Sequence, residues 1–184
     1  FAVGANLEFV AAADFNADGV LDLVSTNGGD NTVSVLLGNG DGTFAAQQTF
    51  ATGTNPVATT TTDLNADGIP DLAVANRGSG DVSVLLGNGD GTFATEQRDA
   101  EGAFASASAA ADLNADGVPD LAVANRTDNT LSLLLGNGDG SFATQQTVIT
   151  GSAPSSVTAA DFNGDGIPDL ASANRNSSDV SILI

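Results

Sequence analysis

Asp-x-Asn-x-Asp-Gly-x-x-Asp, followed by Leu, occurs four times in this chain, beginning at Asp14, Asp63, Asp112 and Asp161, with 49 residues between successive copies. Each copy puts oxygen-bearing side chains at positions 1, 3, 5 and 9 and a glycine at 6. A loop that wraps oxygens around a hard cation such as Ca²⁺ is written this way. The expected ligands are the side chains of Asp14, Asn16, Asp18 and Asp22 with the carbonyl of Val20. The same roles fall to Asp63, Asn65, Asp67, Ile69 and Asp71, to Asp112, Asn114, Asp116, Val118 and Asp120, and to Asp161, Asn163, Asp165, Ile167 and Asp169. An EF-hand would need a Glu at position 12 and flanking helices, and this pattern has neither. The competing reading is an Asx-rich turn whose carboxylates only cap backbone N–H groups. Three like charges in one tight loop are costly without a cation, so the sequence predicts about one Ca²⁺ per repeat. Mg²⁺ suits such an all-protein cage less well.

Two other patterns share the period. Gly-Asn-Gly-Asp-Gly at 38–42, 87–91 and 136–140 looks like a phosphate cradle, but it opens no helix and has no Walker lysine. It reads as a hairpin turn that needs φ > 0, with Asp41, Asp90 and Asp139 as candidates for a secondary metal contact. Asn76-Arg77, Asn125-Arg126 and Asn174-Arg175 recur where the first unit has Asn27-Gly28. With Asp30, Asp81, Asp128 and Asp179 they could form a ring that binds glycan hydroxyls or a carboxylate. The blander and favoured reading is that each Arg neutralises a nearby Asp.

Composition narrows the function further. Net charge is −19, from 23 acidic residues against four arginines. Twelve of the twenty aspartates lie in the four loops. Nucleic acid and anionic membrane surfaces are therefore poor partners. No apolar run approaches the ~18 residues that would insert into a membrane. The chain has no Cys, His, Lys, Tyr, Trp or Met. It thus lacks the usual general bases and the nucleophilic thiol, and the expectation is that it is not an enzyme. Cysteine-free, acidic composition suits an extracellular or cell-surface setting, where calcium is abundant enough for weak sites. With no initiator Met and no visible signal peptide, the chain reads as a processed piece or a segment of something longer.

The elements that must hold the loops repeat as well. Each unit has four short, β-branched or small-residue segments bounded by turn residues. The first precedes the loop (Val10–Ala13, Ala58–Thr62, Ser108–Ala111, Val157–Ala160). The second follows it (Leu23–Thr26, Leu72–Ala75, Leu121–Ala124, Leu170–Ala173). The third is the most apolar (Val33–Leu37, Val82–Leu86, Leu131–Leu135, Val180–Ile184), and the fourth is expected to begin at Phe44, Phe93 and Phe142. No segment has helical periodicity. The fold predicted is all-β: a β-propeller of four-stranded antiparallel blades, a single array with units of about 1–49, 50–98, 99–147 and 148–184. The Ala/Thr/Ser-rich first strand belongs at the narrow inner edge of each blade. Gly4, Gly53, Gly102 and Gly151 are expected to turn the chain between blades with φ > 0.

With loop, blade length and glycine in place, the chain resembles the FG-GAP/VCBS repeat family. The loops Asp14–Asp22 and Asp161–Asp169 are close to the family form. Phe1-Ala2-Val3-Gly4 and Phe50-Ala51-Thr52-Gly53 keep a spaced version of its Phe-Gly half, which Asp99-Ala100-Glu101-Gly102 has lost. The resemblance implies a calcium-stabilised extracellular propeller for adhesion or glycan recognition, with a glycan or cell-surface protein as partner. A lectin is the alternative to a plain adhesion, scaffolding or self-assembly module. The scarcity of aromatics other than Phe weakens it.

The last unit stops at the end of its third strand, so the fourth blade is expected to lack its outer strand. An open strand edge is a template for association. The favoured reading is a stretch of a longer array; the other is copies that supply strands to one another.

Overall fold

The computed structural model describes residues 1–100 and 105–184, apart from the side chains of Asp99 and Ala100. Among these residues there are fifteen strands and no helix. The first sheet is formed by β1 (Leu7–Ala13), β2 (Asp22–Asn27), β3 (Thr32–Leu36) and β4 (Gln48–Ala51), in that order. The second follows with β5 (Pro56–Thr62), β6 (Asp71–Asn76), β7 (Asp81–Leu85) and β8 (Gln97–Ala100). The third has β9 (Ala105–Ala111), β10 (Asp120–Asn125), β11 (Thr130–Leu134) and β12 (Gln146–Ile149). The fourth has only β13 (Pro154–Ala160), β14 (Asp169–Asn174) and β15 (Asp179–Leu183), so one edge of β15 is unpaired. All pairings are antiparallel.

Each sheet is a blade. The inner strands β1, β5, β9 and β13 lie side by side in chain order. The small side chains of β5, β9 and β13 permit this approach, and Thr60 and Ser108 bond hydroxyl to hydroxyl across it at 2.7 Å. The core is a series of slabs between blades. Val24, Val33 and Val35 of the first blade meet Leu72, Val74 and Leu85 of the second. Ala73, Ala75, Val82 and Val84, on the second blade's other face, meet Leu121, Val123 and Leu134. Ala122, Ala124 and Leu131 meet Val157 and Leu170. Because alternate residues point to opposite faces, one strand serves two slabs. The middle strands β6 and β10 are accordingly buried along their whole length.

Three expectations change. The first strands start two or three residues earlier than the Ala/Thr runs indicate, through irregular register at Leu7/Val10, Pro56/Ala58 and Pro154/Ser156. The fourth strands begin at Gln48, Gln97 and Gln146, four residues beyond Phe44, Phe93 and Phe142. These phenylalanines make only an isolated bridge back to Gly38, Gly87 and Gly136; the Phe93 ring packs between blades against Phe15, and Phe142 packs on the core between the second and third blades. Gly4, Gly53 and Gly151 are not at positive φ; Asn6, Asn55 and Ala153, two residues on, take the left-handed conformation instead. The glycines are there for close approach: a Cβ on Gly53 would sit 2.5 Å from the Asn76 amide nitrogen, and one on Gly4 2.5 Å from the Asn27 amide carbon. Gly102 lies outside the described residues.

Candidate metal centre

The four Asp-rich loops join the first strand of each blade to the second, so all four occupy equivalent corners. In the first loop the Asp14 carboxylate accepts the N–H of Asp18 at 3.2 Å and of Gly19 at 2.8 Å. Asn16 Oδ1 also accepts from Asp18 N, and Asp18 Oδ1 accepts from Val20 N at 2.8 Å. Asp63 and Asp112 repeat this pattern, as do Asn65 with Asp67 and Asn114 with Asp116; Ile69 and Val118 donate in the place of Val20. In the fourth loop Asp161 accepts from Gly164 and Gly166, Asn163 from Asp165, and Asp165 from Ile167. The loop is therefore wound around its own first, third and fifth side chains.

The winding requires two left-handed residues. Gly19, Gly68, Gly117 and Gly166 at position 6 have φ between 82 and 90°. Position 4 is left-handed too, occupied by Ala17, Ala66 and Ala115 at φ 58–59° and by Gly164 at 81°. Sequence reasoning missed this second demand; the one signal for it was the glycine in the fourth copy.

Position 9 differs in kind. Asp22, Asp71 and Asp120 are fully buried and Asp169 nearly so. Asp71 Oδ2 accepts the N–H of Leu64 at 2.7 Å, and its Oδ1 accepts that of Gly87 at 2.8 Å. Asp22 does the same with Phe15 and Gly38, and Asp120 with Leu113 and Gly136. Asp169 accepts from Phe162. This aspartate thus clamps the Asp-rich loop to the glycine turn that follows the third strand. Loop and turn approach most closely at Gly38, whose Cβ would strike the Leu21 carbonyl at 2.5 Å. Asp41 is instead committed to its own turn, accepting from the N–H and hydroxyl of Thr43, and Asp90 and Asp139 repeat this. Those bonds hold all three carboxyls below the usual range.

Electrostatics set position 9 apart as well. Burial pushes the carboxyls of Asp71 and Asp120 up. The charges of Asp67 and Asp63, and of Asp116 and Asp112, add to the shift, while the backbone N–H bonds oppose it. In the open fourth loop the N–H groups of Gly166 and Gly164 hold Asp161 low. The donor set of each loop is three carboxylates, one amide oxygen and the carbonyl at position 7, all hard oxygens and no nitrogen or sulfur. This chemistry fits Ca²⁺. A carboxylate has about four lone-pair sites, so one already capping N–H groups can still face a cation. Among the described residues, however, no three acidic side chains are drawn together as closely as a bound ion would hold them.

The opposite end of the blades holds the Asn-Arg turns. Asn76, Asn125 and Asn174, candidates for a ligand-binding ring, are all buried. Asn76 Nδ2 donates to Asp81 Oδ1 and Ser83 Oγ, both at 2.8 Å; Asn125 donates to Thr130 and Ser132, and Asn174 to Asp179 and Ser181. A buried amide must find partners inside the fold, and the serine in the middle of each apolar third strand supplies one. That serine, repeated in Val-Ser-Val and Leu-Ser-Leu, was the overlooked signal. Arg77 pairs at 3.6 Å with Glu8 of the neighbouring blade, not with its own turn's aspartate. Asp81 faces Arg98 at 3.8 Å. Arg126 and Arg175 are exposed and form no ion pair among the described residues. Arg126 lines a polar cleft of 470 Å³ between the third and fourth blades, with Thr127, Asn129, Ser152, Ala153 and Asn176.

Comparison with known proteins supports the same architecture. Among curated proteins, none matches this chain in sequence. The chain is 22% identical over 93% of its length to an Agrocybe aegerita lectin that recognises non-reducing terminal N-acetylglucosamine, covering 50% of it, with a TM-score of 0.59. It is 20% identical over 98% to the periplasmic gluconolactonase PpgL of Pseudomonas aeruginosa, covering 43% of it, with a TM-score of 0.61. The V. cholerae biofilm matrix protein Bap1 matches 95% of the chain at 22% identity and a TM-score of 0.56, over 26% of its own length. The chain thus spans about half or less of these three structures. At such identities the likeness establishes the fold alone. The FG-GAP-like repeat matches residues 14–74, 63–123 and 112–172, each match running from one Asp loop into the next blade. With its blades, loops and period in agreement with that match, the chain belongs to the FG-GAP-like repeat family.

Proposed function

We propose that this chain is a non-catalytic, calcium-binding propeller-repeat module that serves outside the cell in adhesion or scaffolding. The observation that carries this reading is the position-9 aspartate. A fully buried carboxylate beside two others of the same loop, as at Asp71, is a costly arrangement that a divalent cation would offset. Its clamp on the following turn would let one ion per loop stiffen a whole corner of each blade. The lack of His, Cys, Lys and Tyr supports a binding role over a catalytic one. Its acidity and cysteine-free composition support an extracellular setting. Native mass spectrometry with calcium and after chelation tests the proposal. Four ions per chain and a rise in melting temperature with calcium are expected. No bound ion and an unchanged melting temperature would return the loops to plain Asx turns.

A second reading, glycan binding, rests on the polar cleft around Arg126, whose guanidinium is not neutralised by an ion pair among the described residues. Arg175 on the neighbouring turn is free in the same sense. The recognition of N-acetylglucosamine by the structurally similar lectin makes sugars the first ligands to try. A glycan array with the calcium-loaded chain, repeated with Arg126→Ala, decides it. Binding lost in the variant supports this reading, and a silent array removes it.

A further inference from the structure

At the end of the blades opposite the Asp-rich loops, two junctions are built on one hydrogen-bonded frame. Between the first and second blades, Asn31 Oδ1 accepts the N–H of Asn55 at 2.9 Å. The carbonyls of Asn55 and Thr54 accept from Arg77 and Gly78, both at 2.9 Å, and Ser79 Oγ accepts from Thr54 N at 3.0 Å. Two repeats on, between the third and fourth blades, the same four bonds recur. Asn129 Oδ1 accepts from Ala153 N at 2.8 Å, the carbonyls of Ala153 and Ser152 accept from Arg175 and Asn176 at 3.0 Å, and Ser177 Oγ accepts from Ser152 N at 2.8 Å.

What stands on the frame differs. The first of these junctions carries Gly28, Gly29 and Gly78, and a Cβ on Gly28 would lie 2.7 Å from Asn55 Oδ1. The asparagine side chain thus fills the place where a larger residue would emerge. At the later junction Arg126, Thr127 and Asn176 replace the three glycines, and Ala153 replaces Asn55. Ala153 keeps the left-handed backbone, at φ 57° against 54° for Asn55. Asparagine suits that conformation better than alanine, so the shorter side chain is present against the local preference, and it leaves the space open. The result is the polar cleft of 470 Å³. Charge has been rearranged as well. Arg77, one repeat before Arg126, pairs at 3.6 Å with Glu8 of the preceding blade, but the residue one repeat after Glu8 is the buried Val57. Around Arg126, the hydroxyls of Thr127 and Ser152 and the amide nitrogens of Asn129 and Asn176 form no hydrogen bond among the described residues.

We propose that this cleft binds a saccharide through a carboxylate, that is, a uronate residue. The inference rests on the glycan-binding reading and adds the charge of the ligand. The Arg126 guanidinium takes the carboxylate in a two-point fork. The uncommitted hydroxyl and amide groups take the ring hydroxyls. Ala153 is the one apolar residue of the lining, so the cleft offers hydrogen bonds to a sugar and no pocket for the apolar side chains of a peptide. A net charge of −19 repels a densely charged polyanion. An isolated carboxylate on an otherwise neutral saccharide is therefore favoured over a heavily sulfated chain.

Ligand-observed NMR titration of the full chain in calcium buffer tests this with the methyl glycosides of glucuronate and galacturonate, each beside its neutral parent sugar. At least one uronide should bind about 10-fold or more tighter than its neutral counterpart. Arg126→Gln, at an exposed position, should remove that preference. Ala153→Asn restores the residue of the first junction and should abolish binding with the melting temperature unchanged or raised, which separates a filled cleft from an unfolded protein. Neutral glycosides bound as well as the uronides would overturn the proposal and leave the glycan reading standing; a silent glycan array together with no uronide binding would remove both. Uronide binding that survives both substitutions would overturn it by placing the ligand elsewhere. Displacement of the uronide by an equal concentration of N-acetylglutamate amide would overturn the saccharide class in favour of an acidic peptide.

Discussion

Asp71→Ala separates the two roles assigned to the loop aspartates. Asp71 is fully buried and its two oxygens cap the N–H groups of Leu64 and Gly87. Truncation strands both donors, at about 1–3 kcal/mol each. Relief of a carboxylate whose ionised form is disfavoured by burial returns part of that, leaving an expected loss of about 2–4 kcal/mol in chelator. Asp67 is exposed and caps Ile69 N in reach of water, so Asp67→Ala should cost under about 1 kcal/mol in chelator. Asp71→Asn, which keeps one oxygen, should fall between them. In calcium the order changes character. Both alanine variants lose the ion from that loop, and with it an increment of about 2.7 kcal/mol at a hundredfold excess of calcium over its Kd. Urea unfolding followed by far-ultraviolet circular dichroism suits a chain without Trp or Tyr. Equal costs for Asp71→Ala and Asp67→Ala in chelator would refute the clamp. An identical calcium increment in Asp67→Ala and the unmodified chain would refute the ligand role.

Other perturbations follow from the same geometry. Ala66→Gly should stabilise the protein by about 0.5–1 kcal/mol, because Ala66 is held at φ 59°, and Gly164→Ala should cost a similar amount; thermal melts of both check it. Gly53→Ala should cost about 1–3 kcal/mol, since its Cβ has nowhere to go beside Asn76 and Asp81. The chelated protein should gain stability as pH falls from neutral towards about 3.9, the ordinary aspartate value. Asp71 and Asp120, with raised pKa values, take up protons in the folded state before the unfolded one. Below that value the trend should reverse as groups held low, such as Asp161 and Asp179, are protonated. In calcium, acid should destabilise throughout, because protons displace the ion. Melting temperature against pH in the two buffers gives the comparison.

Much of the architecture was legible because it is periodic. The strand pattern, the inner Ala/Thr/Ser strand and the all-β class follow from residue size and alternation, which depend on local chain geometry. What was not legible depends on approach between segments distant in sequence. Gly53 looks like a flexible hinge until Asn76 is found against it. Asn76 looks like a surface ligand until Ser83, seven residues on, is found to receive its amide. Phe93 looks like the start of a strand because an aromatic residue after a glycine turn often is one. The ring is instead drawn between Phe15 and Phe50, and pairing resumes at Gln97. At the loops the ligand pattern could be read directly, but the burial of its ninth position could not: that residue is the first of a strand in the middle of a sheet.

The residue after the first aspartate of each loop has a consequence for how such a chain can change. Phe15 and Leu64 leave their own blade and are buried in slabs shared with the next. A unit of this array is therefore not self-contained: its key lies in one repeat and the lock in its successor. A duplication that copies a whole period carries both and can be inserted anywhere. An insertion or deletion of a few residues would part every downstream key from its lock, so mutation can lengthen the array freely but cannot easily stretch its period. Exchanges between phenylalanine and leucine at the key then become the cheapest way to give otherwise interchangeable units a fixed order.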